Sequence, residues 1–95
     1  MISQDWNDNG EGLFEYRQEE GSDTLGFMDL LQTESAKLVI KHTEVKPEME
    51  GKGIGRQLLE AVADYSRSNN LRIIPICPFA KNLMERNPDK YKDLW

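Results

Sequence analysis

The sequence predicts a mixed α/β (α+β) domain, an antiparallel meander followed by a βαβ crossover and a C-terminal helix. Three observations lead there. Short apolar stretches separated by Gly-Ser-Asp and Thr-Glu-Ser turns fill the first half of the chain. The hydrophobic period changes from two to about 3.6 after a glycine-rich break at Gly51–Gly55. A compact apolar run, Leu71–Cys77, follows that helical pattern and precedes a second one.

Residues 1–12 are polar and glycine-punctuated, which predicts a flexible lead-in with Trp6 packing back on the domain. Leu13–Arg17 begins a first strand, Thr24–Leu31 a second and Ala36–Val45 a third, in which Leu38 and Ile40 mark one face. Their short connections favour antiparallel pairing. From Gly53, Ile54, Leu58, Ala61, Val62 and Tyr65 fall on one helical face, and Ser68-Asn69-Asn70 stops the helix. Leu71–Cys77 is nearly all apolar, which predicts a central strand covered on both faces and paired in parallel with the third, with an irregularity at Pro75. Ala80–Arg86 is a second helix ended by Asn87-Pro88, and Lys90–Trp95 is a tail able to dock through Tyr91, Leu94 and Trp95.

Ninety-five residues supply one modest core, so 1–95 reads as a single domain. The opening residues have neither the basic start nor the apolar middle of a secretory leader, and a single cysteine precludes an internal disulfide. Together they predict a cytoplasmic protein. One histidine and one cysteine predict no transition-metal site, and no apolar run is long enough for a membrane span. The net charge of −5 is uneven: residues 1–30 carry eight acids against Arg17, and the remainder balances at +2. Such a chain lacks the basic footprint of a nucleic-acid binder, and it places Lys46, Lys52 and Arg56 around the glycine break.

Strand, glycine-rich turn and helix start together make an anion site. Glycines permit close backbone approach, and the first turn of a helix offers free N–H groups. The spacing excludes two phosphate loops. Gly51-Lys52-Gly53-Ile54-Gly55-Arg56 lacks the four-residue gap and Gly-Lys-Ser/Thr of a P-loop, and Arg56 stands where a dinucleotide fingerprint has its third glycine.

Val45-x-Pro47-Glu48-x-x-Gly51-x-Gly53-Ile54-Gly55, followed by Leu58-Leu59, resembles the acetyl-CoA loop of the GNAT N-acetyltransferases. Taken with His42-Thr43-Glu44-Val45, Ile74-Pro75-Ile76-Cys77-Pro78-Phe79 and Arg86-Asn87-Pro88, the pattern is similar to the small single-domain "minimal" members of that superfamily over roughly residues 10–95. Glu50 departs from it, standing where these loops usually carry Arg or Gln, as do Leu83 and Asn87 in the second helix.

The resemblance implies a GNAT-like fold, acetyl-CoA or CoA as cofactor, and an acyltransferase that moves an acetyl group to a small-molecule or protein amine. It implies that the backbone of Val45 holds the pantetheine arm. The N–H groups of Gly51, Lys52, Gly53, Ile54, Gly55 and Arg56 would hold the pyrophosphate. Cys77, at a strand end before a helix start, is a candidate nucleophile. His42 is a candidate base by its intrinsic pKa, with Glu44 at the same strand parity. By the same resemblance Tyr91 is a candidate acid if the tail crosses the cleft. Transfer is either direct or through Cys77. The rival reading is a non-catalytic CoA-binding or protein-interaction module. With little chain to spare for elements that close over the acceptor, the cleft is expected to be open or completed by a second subunit, in a monomer or weak homodimer.

Overall fold

A computed structural model describes residues 1–95. Five strands form one sheet in the order β1-β2-β3-β4-β5: β1 Ile2–Trp6, β2 Glu11–Tyr16, β3 Gly26–Gln32, β4 Lys37–Val45 and β5 Arg72–Pro75. The first four pair antiparallel in sequence order, and β5 pairs parallel with β4. Helix α1 spans Ile54–Ser68, α2 Pro78–Arg86 and α3 Pro88–Tyr91. A short 3₁₀ turn, Pro47–Met49, lies between β4 and the glycine loop.

The expected flexible lead-in is instead strand β1, so the meander has four strands. Its polar sequence hides it. Asn7 turns the chain into a hairpin by accepting the N–H groups of Asn9 and Glu11 on its side-chain oxygen, at 2.9 and 3.0 Å. Trp6 then stacks on Tyr65 of α1, with ring centroids 5.1 Å apart, and meets Phe14 edge-on at 6.3 Å. One long-range aromatic contact thus does what the local pattern does not announce.

Phe14, Met28, Leu30, Leu38, Ile40 and Ile73 are buried on one face of the sheet, where cross-strand pairs Phe14↔Met28, Leu30↔Ile40 and Leu38↔Ile73 align them. Leu58, Leu59, Val62 and Ala63 of α1 and Ala80 and Met84 of α2 complete that core. At roughly 1.5–3 kcal/mol for each fully buried large apolar side chain, this layer is the main source of stability.

The register of β4 shifts opposite Asp29/Leu30: Asp29 faces His42, whereas Leu30 faces Ile40. One extra residue in β4 reverses the alternation beyond it. Leu38 and Ile40 point into the core, and after the bulge so do Thr43 and Val45, opposite Met28 and Gly26. His42 and Glu44 turn to the other face.

The run Leu71–Cys77 is not a central strand. β5 lies at the sheet edge, with Ile74 and Ile76 exposed at 38% and 65%. Apolar runs of this length do not distinguish a doubly covered strand from an edge strand with one face on a core. The edge is closed by the tail rather than by a sixth strand: the Ile73 N–H donates to the Leu94 carbonyl at 2.6 Å, and the Arg72 guanidinium to the Trp95 carbonyl. Arg67 fastens this tail, donating to both Asp93 carboxylate oxygens and to the Lys90 carbonyl. Tyr91 and Leu94 are buried, while Trp95 stays 42% exposed.

Candidate functional site

The glycine loop leads into α1 through two left-handed residues, Gly51 at φ +79° and Gly53 at φ +78°. A Cβ at either position would meet nothing within 4 Å, so backbone conformation, not crowding, requires glycine there, and the space above them is open. Gly55 has a different reason. A Cβ on it would come within 2.4 Å of the Phe79 ring, so α1 and the start of α2 approach closely at this point.

The first intrahelical bond of α1 runs from the Gln57 N–H to the Gly53 carbonyl at 3.0 Å. The N–H groups of Gly51, Lys52, Gly53, Ile54, Gly55 and Arg56 donate to no acceptor in the chain. A run of unengaged donors at a helix start, beneath open space, is suited to an anion. It borders a groove of about 690 Å³, walled by Thr43, Val45, the glycine loop and Arg56 on one side and by α2 on the other.

The groove continues along β4 because β4 and β5 part company. Their pairing ends at Ile40↔Pro75, and the N–H groups of both Ile76 and Cys77 converge on the Ile40 carbonyl, each at 3.1 Å. Beyond that point β4 has a neighbour on one side alone. The Lys46 N–H bonds to the Leu25 carbonyl of the β3 side at 2.9 Å, so by alternation the N–H and C=O of Val45 face the gap. Val45 thus offers unpaired main-chain groups to anything extended along the groove.

Cys77 closes the inner end of this gap, at the N-cap of α2. It is 4% exposed, and its thiol donates to the Thr43 hydroxyl at 3.3 Å. The bulge in β4 brings Thr43 to that face.

The structure therefore brings together Val45, Gly51, Gly53, Ile54, Gly55 and Arg56 on one groove, with Cys77 beside Thr43. It does not bring in the rest of the expected set. The Lys52 side chain is not part of the groove wall, although its N–H belongs to the open run. His42 and Glu44 share a face and pair with each other, Nε2 to Oε2 at 3.4 Å, but on the opposite side of the sheet, next to Phe27. Tyr91 is buried in the core, where desolvation raises its hydroxyl above the ordinary tyrosine pKa, and it does not line the groove.

Sequence reasoning missed Thr43 and Arg86. Thr43 was hidden by the bulge. Arg86 follows Phe79 and Leu83 at i, i+4 and i+7, a stripe on α2 that could have been read from the sequence as the groove's second wall. Glu50 also lines the groove, so the departure from the loop pattern faces the site.

Known proteins share this fold. The solution structure of a GCN5-like protein from Staphylococcus aureus, assigned as an N-acetyltransferase, is 33% identical and superposes with a TM-score of 0.72, covering 97% of this chain and 85% of that one. A ribosomal-protein-alanine N-acetyltransferase from Brucella melitensis shares the fold at 20% identity and a TM-score of 0.69, over 83% of this chain and 62% of the other. So does a protein from Bacillus anthracis assigned as a streptothricin acetyltransferase, in complex with acetyl coenzyme A, at 16% identity and a TM-score of 0.61, over 73% of this chain and 39% of the other. The chain thus spans less than two thirds of these two larger proteins. No functionally curated protein sequence matches it. The sequence profile of the GCN5-related N-acetyl-transferases matches residues 13–94, nearly the whole region that builds the sheet, the loop and the groove, and the chain belongs to that family.

Proposed function

We propose that this protein binds acetyl-CoA in the groove between the glycine loop and α2 and transfers the acetyl group to an amine. The observation that carries the reading is the run of unengaged N–H groups from Gly51 to Arg56, opening onto a groove that follows unpaired β4 backbone toward Cys77. The residues present fit the cofactor: the left-handed turns at Gly51 and Gly53 leave open space at the helix start, and Val45 has main-chain groups to spare for an amide-bearing arm. When bound, acetyl-CoA supplies an activated thioester.

The chain's own residues then have distinct tasks. The loop N–H groups hold the pyrophosphate and the Val45 backbone orients the arm. In a covalent route Cys77, buried next to the groove residue Thr43, would take the acetyl group on its sulfur, giving up its proton to the CoA sulfur released from the thioester. The amine then displaces Cys77 and releases its own proton. His42 and Glu44, paired on the helix-free face, would receive that proton if the acceptor approaches from there. In direct transfer the same amine attacks the thioester without Cys77.

A second reading, a CoA-holding module without turnover, is favoured by the burial of Cys77 and by the separation of His42 and Glu44 from the groove. Incubation with acetyl-CoA separates the two. The enzyme reading expects either a one-acetyl mass increase, abolished in Cys77→Ala, or CoA release accelerated by members of an amine panel. Tight CoA binding with neither effect leaves the module. Absence of CoA binding removes both.

A further inference from the structure

The wall that α2 presents to the groove changes character along its length. Phe79 and Leu83 are apolar, and Arg86, one turn beyond Leu83, ends the helix. Phe79 marks the end of α2 that touches Gly55, and at 1.5 Å per residue Arg86 lies about 10 Å further along. Its backbone is therefore set well beyond the contact at Gly55, at the far end of the same groove wall.

Arg56, on the facing helix, borders the same groove. Neither arginine has a carboxylate within ion-pair distance, whereas Arg17, Lys41, Arg67 and Lys90 all do. Lys90 of α3, beside Arg56, is neutralised by Glu60, so the charges left on the groove wall are Arg56, Arg86 and one carboxylate, Glu50. Two guanidiniums on different helices, neither paired with that carboxylate, leave the wall net positive in a chain of net charge −5. A dianion between them would relieve it.

We infer that Arg86, with Arg56, binds the terminal 3′-phosphomonoester of CoA and makes the groove selective for CoA over 3′-dephospho-CoA. The inference rests on the CoA reading above. The pyrophosphate is served by the backbone donors of Gly51–Arg56, which carry no side-chain information. A second phosphate further along the groove is what Arg86 is placed to read. Planar guanidinium suits a phosphomonoester, whose oxygens accept two parallel N–H bonds.

The test is calorimetric titration of CoA and of 3′-dephospho-CoA into the wild-type chain, Arg86→Gln, Arg86→Lys and Arg56→Gln, with thermal melts to establish that each variant is folded. Expected is a wild-type preference for CoA of about tenfold or more. Arg86→Gln should lose that preference by weakening CoA alone, Arg86→Lys should retain part of it, and Arg56→Gln should reduce it. The salt dependence of CoA binding should become shallower in Arg86→Gln. Equal wild-type affinity for the two ligands overturns the inference. So does an equal loss of both in Arg86→Gln, which would assign Arg86 to the pyrophosphate, or no loss of either. In those cases CoA still binds and the function proposed above stands. Failure of the wild-type chain to bind either ligand overturns that function and this inference together.

Discussion

The Cys77 thiol donates to the Thr43 hydroxyl at 3.3 Å, joining the start of α2 to the stretch of β4 that no longer pairs with β5. This contact fixes where the one thiol of the chain points, and in the covalent route proposed above it would aim the nucleophile. Thr43→Val preserves shape and removes the acceptor. Folding stability should change by no more than about 1 kcal/mol, while acetyl labelling of Cys77 slows about tenfold as its aim is lost. Thr43→Ser should restore labelling, and CoA affinity should be unchanged in both. Intact-mass time courses with acetyl-CoA decide it: equal rates in wild type and Thr43→Val would mean that Thr43 does not position the thiol.

Gly55 and Phe79 make a second testable pair. Alanine in the first turn of α1 would gain up to about 1 kcal/mol of helix propensity, but its methyl would meet the tip of the Phe79 ring, which is 44% exposed and must swing aside. Gly55→Ala is therefore expected to gain less than that in the wild-type background. In a Phe79→Ala background the same change should stabilise by more. Urea midpoints measure both, and the non-additivity of the pair is the diagnostic result; equal effects in the two backgrounds would show that the ring does not oppose the methyl.

Glu50 lines the groove and carries a charge of the wrong sign for a pyrophosphate. Glu50→Gln should tighten CoA binding several-fold, about 1 kcal/mol or less for a partly solvated charge. Glu50→Arg should tighten it further. The gain should shrink as salt is added. Titration at two ionic strengths would detect it, and unchanged affinity in both variants would show that this side chain turns away from the bound ligand.

Burial raises the Tyr91 hydroxyl pKa in the folded chain, and that of Tyr65 by the same cause. In the unfolded chain both ionise near their ordinary value of about 10. Their contribution to stability is thus complete below about pH 10 and is lost as pH rises through the folded pKa, because the unfolded chain gives up its protons first. Denaturation midpoints should fall above that pH, less steeply in Tyr91→Phe. Identical alkaline slopes would show that the Tyr91 hydroxyl is not desolvated.

Much of the architecture is legible in residue pattern. The change of period around Gly51–Gly55 locates α1, Asn87-Pro88 ends α2, and the stretches around Phe14, Met28 and Leu38 are strands. The glycine loop is legible too, because its chemistry is main-chain chemistry and main-chain conformation is dictated locally by glycine. The polar sequence of β1 gives no such signal, since its strand character depends on Asn7 turning the chain and on Trp6 reaching Tyr65, far away in sequence.

What the sequence by itself determined is therefore most of the elements, though not β1, the family they resemble and the glycine loop. Tertiary structure alone decided which side chains share a face. The extra residue in β4 shows no signature in composition, yet it sends Thr43 toward Cys77 and sends His42 and Glu44 to the far side. It likewise decided that β5 is an edge closed by Leu94, and that Arg86 meets the groove that Arg56 borders. The reason is physical. Propensity and periodicity act over a few neighbouring residues, whereas register, bulges and edges are settled by hydrogen bonds and packing between segments that meet once the chain has folded.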